Sequence, residues 1–246
     1  MEANDGNTLA DVRFPAVDAT LRGALALAPR TPSPGLVLIP DVRGLSDFYR
    51  RMAARFAAAG FTTLAIDIYS REGTPDLPDM DAVMRCIESL PDERVLSDVA
   101  SAVQFLAGRP EVRREAIGVT GFCLGGQYAI MAACRVAGLA ACASFYGMLR
   151  YASRPPHKPA SPLDLAAELR CPLLGLYGAE DGLIPPADLA ELETILRNNG
   201  KTFRFHVYPG AGHAFMNEAR TDAFRPSVAA DAWNRAIEFF TANLAG

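Results

Sequence analysis

Cys123 stands in Gly121-Phe122-Cys123-Leu124-Gly125-Gly126, between a strand-like run, Ala116-Ile117-Gly118-Val119-Thr120, and a helix-like run, Gln127 to Ala133. Glycines two before and two after it follow the G-x-S-x-G pattern of a nucleophile elbow, with sulfur in place of oxygen. A tight strand-to-helix turn crowds backbone against backbone, so its flanking residues must lack Cβ. The turn lifts the side chain clear of the sheet and sets it at a helix N-terminus. There the helix dipole and free N–H groups favour negative charge, which suits a nucleophilic thiol.

A thiol nucleophile needs a base, and the base needs an orienting acid. The chain has three histidines. His213 lies in Pro209-Gly210-Ala211-Gly212-His213-Ala214-Phe215, just past the last strand-like run, where a glycine-rich loop can swing an imidazole over the sheet edge. His206 reads as a strand side chain and His157 lies in a proline-rich loop, so His213 is the expected base. Asp181, in Tyr177-Gly178-Ala179-Glu180-Asp181-Gly182, follows the preceding strand and is the expected acid, with Glu180 its local competitor. The order Cys…Asp…His is the one expected when the elbow comes first. Two backbone N–H groups should face the oxyanion. One is that of Leu124, directly after the nucleophile; the other belongs to the loop after Gly35–Pro40, at Val42 or its neighbour.

These residues need a scaffold, and hydrophobic patterning supplies one. Apolar strands are expected at Leu21–Leu27, Gly35–Pro40, Phe61–Asp67, 116–120, Leu139–Tyr146, Pro172–Tyr177 and Thr202–Tyr208, with a short one at Val12–Phe14. Between them lie helical patterns at Phe48–Ala59, Asp81–Ser89, from Pro91 to Ala107, to Val136, Ala187–Asn198 and Pro226–Asn243. Alternation of this kind means an α/β fold, a mostly parallel sheet flanked by helices on both faces. No linker divides the chain, so 1–246 reads as one domain, with 1–10 a flexible N-terminus. Residues 148–171 hold at most one helical turn, Leu163–Leu169, so no large lid domain is expected and the site should be open. Among the aromatics Phe48, Tyr49, Tyr69, Tyr146 and Phe215, the last two lie at strand ends and are the expected pocket walls.

The 246 residues carry a net charge of −4, which gives no electrostatic case for nucleic acid or an anionic membrane. No apolar run reaches transmembrane length, and the polar N-terminus is no signal peptide, so a cytoplasmic protein is expected. Five scattered cysteines without a C-x-x-C pair argue against a disulfide framework or zinc site. No metal or cofactor is expected.

The elbow, Gly178-Ala179-Glu180-Asp181 and Gly210-Ala211-Gly212-His213-Ala214-Phe215 together resemble the dienelactone hydrolase (carboxymethylenebutenolidase) family of the α/β-hydrolase fold, from about residue 20 to the C-terminus. The resemblance implies a Cys–Asp–His triad of Cys123, Asp181 and His213, with Leu124 and Val42 as oxyanion donors. It implies an acidic residue after the first core strand that modulates the resting thiol; here that is Asp41, where glutamate is common. Well-known members bind a substrate carboxylate with arginines, one of them four residues after the histidine. This chain has Asn217 there, leaving Arg43, Arg85 and Arg220 as substitutes, since arginine is the natural bidentate partner of a carboxylate. The expected activity is hydrolysis of a small ester or enol-lactone through an acyl-cysteine, by a monomer or homodimer. Acyl transfer and thiol redox sensing are the alternatives.

Overall fold

Leu36, Val37, Leu38 and Ile39 are all fully buried, although successive strand side chains point to opposite faces. The same holds throughout Thr62–Ile66 and Ala141–Phe145, so the sheet is covered on both sides. The computed structural model describes residues 9–244. Its strands are β1 (Leu9–Pro15), β2 (Thr20–Ala26), β3 (Ser33–Ile39), β4 (Thr62–Ile66), β5 (Val112–Phe122), β6 (Ala141–Phe145), β7 (Leu173–Gly178) and β8 (Phe203–Tyr208). They form one sheet in the order β1-β2-β4-β3-β5-β6-β7-β8. The β1–β2 hairpin is antiparallel and joins β4 antiparallel; every later pairing is parallel. Leu9 and Ala10 belong to β1; the rest of the expected flexible N-terminus lies outside the described residues.

The helices are α1 (Asp47–Ala58), α2 (Met80–Ser89), α3 (Asp92–Ala107), α4 (Leu124–Arg135), α5 (Pro162–Leu165), α6 (Pro186–Asn198) and α7 (Pro226–Leu244). Phe56 of α1 packs against Trp233 and Phe240 of α7, with ring centres 4.6 Å and 6.2 Å apart. On α4 every residue from Leu124 to Cys134 is buried, which fixes the elbow helix rigidly against β5 and β6. No separate domain interrupts the path from β6 to β7. That connection carries only α5 and a 3₁₀ turn at Ala166–Glu168, close to the helical turn that the sequence suggests.

The same connection is anchored by a buried charge that sequence reading passes over. Lys158 is 1% exposed, and its Nζ donates to Asp92 Oδ1 at 2.8 Å and to the Tyr128 hydroxyl at 3.0 Å. Tyr151 also donates to Asp92 Oδ1, at 2.9 Å. Removing one partner of a buried ion pair strands the other charge in a poor dielectric. Lys158→Met is therefore expected to lower unfolding free energy by about 3–5 kcal/mol. Urea titration checks this. The double change Lys158→Met with Asp92→Asn should recover part of the loss, because it leaves no charge unpaired.

Candidate active site

Cys123 joins β5 to α4 with φ +55° and ψ −119°, a conformation that bulky side chains rarely adopt. The neighbouring glycines explain how the chain tolerates it. A Cβ on Gly121 would lie 2.0 Å from the Gly125 carbonyl oxygen, and one on Gly125 would lie 2.1 Å from that of Ile39. Any larger residue at either position would push α4 off the ends of β3 and β5. The Cys123 N–H donates to the Phe145 carbonyl at 3.0 Å, which ties the elbow to β6. The cysteine is partly exposed.

His213 sits in the loop after β8, and its Nδ1 is 2.8 Å from Asp181 Oδ2. The Asp181 side chain is fully buried, and its other oxygen accepts from the Leu183 N–H at 2.9 Å. It thus caps its own turn and holds the imidazole at once. Glu180, the competitor, is exposed. The far nitrogen, His213 Nε2, is buried, with Cys123 near enough to act on the imidazole as a charge and a hydrogen-bond partner. Burial works against a charged imidazole here. The negative sulfur of Cys123 and the Asp181 carboxylate outweigh it and raise the His213 pKa from 6.5 to about 10. Of the other histidines, His157 pairs with the Glu88 carbonyl at 2.7 Å, and His206 accepts from Arg235 at 3.3 Å on β8.

The backbone donors expected for the oxyanion lie on neighbouring segments. Leu124 opens α4, where the first N–H groups have no acceptor within the helix. Val42 is 5% exposed in the loop after β3, and the would-be clash between Gly125 and Ile39 shows how closely that loop meets the start of α4.

Asp41, in the same loop, accepts from the Arg43 N–H at 2.8 Å. Burial raises its pKa, while the Arg43 N–H, the Tyr49 hydroxyl and the charges of Arg43 and His213 pull the other way. Arg220 is gripped by Asp222 through two hydrogen bonds of 3.1 Å and 2.9 Å, and it also feels the charges of Asp41 and Cys123. Arg220, itself exposed, is thus within electrostatic range of the elbow. Arg43 is exposed beside Asp41, whereas Arg85 is exposed on α2 and joins no ion pair among the described residues. Asn217 is buried and caps a turn, its side-chain oxygen accepting from the Ala219 N–H at 3.0 Å.

The expected pocket walls need correcting. Phe215 is 0% exposed, wedged between Tyr146 and Tyr208 at 5.1 Å and 5.5 Å, so it supports the His213 loop from below. Tyr146 is 1% exposed, with its ring edge-on to the imidazole at 5.1 Å. Phe48, Tyr49 and Tyr69 are buried as well. A strand-end position brings an aromatic near the site, but the return of the Phe215 segment over β6 covers it. Sequence reading also missed Asp222, whose only signal is its place two residues after Arg220. Among the described residues no group of three His, Cys, Asp or Glu is placed to hold a metal ion. No helix there is long and apolar enough to cross a membrane.

Residues 21–244 match the model of the dienelactone hydrolase family. The chain belongs to the dienelactone hydrolase family. It is accordingly a hydrolase of ester or lactone bonds on the α/β-hydrolase fold. It is 38% identical over 213 residues to a Bradyrhizobium protein named as a probable 2-oxo-3-(5-oxofuran-2-ylidene)propanoate lactonase, covering 87% of this chain and 85% of that one. It is 31% identical over 209 residues to a carboxymethylenebutenolidase of Rhodococcus opacus, covering 83% and 79%. Among solved structures, a Klebsiella pneumoniae protein provisionally named a dienelactone hydrolase superposes with a TM-score of 0.90 at 27% identity, over 96% of this chain and 98% of that one.

Proposed function

We propose that this dienelactone hydrolase relative opens small esters or enol-lactones through a Cys123–Asp181–His213 triad and an acyl-cysteine. The observation that carries the reading is His213. Its Nδ1 is bound to a buried carboxylate, and the elbow cysteine acts on the same ring as a charge and as a hydrogen-bond partner.

In the resting enzyme the pair is written as thiolate and imidazolium. The thiolate attacks the carbonyl carbon, and the C=O electrons move onto oxygen, where the N–H groups of Leu124 and Val42 receive them. Collapse expels the alkoxide or enolate, which takes the Nε2 proton of His213. In the thioester the sulfur carries no charge. The largest influence holding a proton on His213 has then gone, and burial favours neutral imidazole. The base is thus freed at the step where water must be activated. Water attacks the thioester, His213 takes its proton, and collapse releases the acid and restores the thiolate. Enolates and other good leaving groups are favoured. An amine leaves poorly against a thiolate, which is itself a good leaving group.

Substrates that carry a carboxylate suit the site, because Arg220 is fixed by Asp222 and reaches it electrostatically. The carboxylate in the substrate name of the Bradyrhizobium relative is consistent with this. Arg220→Gln is expected to raise KM about tenfold for an acidic enol-lactone and to leave a neutral aryl ester little changed, because a charged hydrogen bond contributes roughly 1.5–3 kcal/mol. Steady-state kinetics on the two substrates check this.

The whole reading is tested by assaying enol-lactones, aryl esters and thioesters with wild type and Cys123→Ala side by side. Turnover of at least one class should be present in wild type and absent from the variant. Turnover retained by Cys123→Ala would refute the triad.

A further inference from the structure

We infer that Tyr69 is a positioning residue for the oxyanion hole, holding the Val42 peptide through its hydroxyl. The inference rests on the proposed acyl-cysteine chemistry and adds a residue outside the triad and its donors.

Val42 has a peptide group on each side, and both are pinned. The Asp41 carbonyl accepts from the Gly44 N–H at 3.0 Å. In a trans peptide the N–H points opposite to the C=O, so this bond turns the Val42 N–H away from the loop interior. The Val42 carbonyl accepts from the Tyr69 hydroxyl at 2.8 Å, a buried bond between residues 27 positions apart. A carbonyl cannot donate, so the Tyr69 proton is committed to Val42. The Cys86 sulfur lies 3.3 Å from the same hydroxyl and must then donate to it. A chain of bonds runs from the Cys86 thiol through Tyr69 to the Val42 carbonyl.

Tyr69 is itself held rigidly. Its N–H donates to Asp67 Oδ1 at 3.0 Å, and Asp67 is buried and paired with Arg22 at 2.8 Å. The ring lies against Gly44, where a Cβ would come within 3.0 Å of it. Gly44 also has φ +76°, so glycine is required there both by backbone and by space. Burial pushes the Tyr69 hydroxyl far above its usual pKa, so it stays a donor at any working pH.

Without the hydroxyl, the buried Val42 carbonyl loses its partner, and the Val42–Arg43 peptide keeps its hold on one side alone, where the Arg43 N–H donates to Asp41 Oδ1 at 2.8 Å. The adjacent N–H then tilts from the position of the oxyanion. Displacement of about 1 Å at a reacting centre costs roughly 10²-fold in rate.

The test uses a Cys86→Ala background, in which Cys123 is the one partly exposed cysteine among the described residues and the Tyr69–Val42 bond persists. In that background Tyr69→Phe is expected to lower kcat by about 10- to 100-fold with KM changed less than threefold. It should weaken binding of a substrate-like aldehyde, whose hemithioacetal carries an oxyanion, by a similar factor. Alkylation of Cys123 by iodoacetamide, a displacement that forms no oxyanion, should stay within twofold. p-Aminophenylalanine at position 69 supplies an N–H donor in nearly the same place and should restore most of kcat. An unchanged kcat in Tyr69→Phe overturns the inference, as does a loss of alkylation equal to the loss of kcat. So does equal impairment of the phenylalanine and aminophenylalanine forms, which would mark Tyr69 as purely structural. Failure of the triad itself is read separately, from turnover by Cys123→Ala.

Discussion

His213→Gln is expected to lower kcat by about 10⁴- to 10⁶-fold, the scale seen when the base of a nucleophile–base pair is removed. Glutamine fills similar space and can still hydrogen-bond Asp181, so the fold should survive. Two functions disappear together. The thiolate loses its counter-charge, and neither the leaving group nor the attacking water has a proton partner. Stopped-flow and steady-state assays with an aryl ester separate the two steps. Acylation should be slow, and any acyl-enzyme that does form should persist. The accompanying titration is specific. With a raised folded-state pKa, the stability drawn from charged His213 is complete below about pH 6.5 and lost as pH rises through about 10. Imidazole NMR in wild type should give a midpoint near 10, and Cys123→Ser, with no negative sulfur, should give a lower one.

Asp181→Asn is the second large effect, expected at about 10³- to 10⁴-fold in kcat with little change in KM. The reason is geometric before it is electrostatic. Asp181 Oδ2 accepts the Nδ1–H of His213 while Oδ1 caps the turn at Leu183. An asparagine satisfies the cap with its oxygen and then offers an N–H to the ring. That favours the tautomer with its proton on Nε2, the atom that must take protons from water. The variant should fold, since the cap is kept, and its His213 midpoint should fall. If Asp181→Asn lost stability as heavily as activity, the buried carboxylate would be chiefly a structural group. Equilibrium unfolding measured beside kcat decides between the two.

Much of this site could be read from the chain because its geometry depends on backbone constraints that leave marks in sequence. Gly121 and Gly125 are demanded by contacts near 2 Å, so the elbow announces itself. Asp181 and His213 follow β7 and β8, and in a parallel sheet such strand ends share one edge, so chain order alone brings them together. The first strand was read too short, as Val12–Phe14 against Leu9–Pro15, because its edge position leaves most of its side chains exposed. What escaped was decided by side chains meeting across distant segments. Phe215 looked like a wall because it was placed at a strand end, yet it is fully buried against Tyr146. Lys158, in a proline-rich loop, gave no sign that its charge would be buried against Asp92, 66 residues earlier. Tyr69 read as core or wall, and its core position is real; the work of its hydroxyl on Val42 has no local signature at all.

The departure at Asn217 has a structural answer of the same kind. A polar side chain that caps its own turn replaces the arginine four residues after the histidine, while Arg220, three residues further along the same loop, is locked by Asp222 within electrostatic reach of Cys123. If Arg220 takes the substrate carboxylate, as proposed above, the preferred substrate is expected to carry a different spacer between carboxylate and lactone.

The central claim is a covalent bond from substrate acyl group to the sulfur of residue 123. The direct measurement is mass spectrometry of enzyme acid-quenched within milliseconds of mixing with an activated aryl ester, followed by digestion. The account expects the acyl mass on the peptide that contains Cys123, accumulating in His213→Gln and absent from Cys123→Ala. Full turnover by Cys123→Ala, or an acyl group carried by any other residue at the rate of turnover, would contradict it.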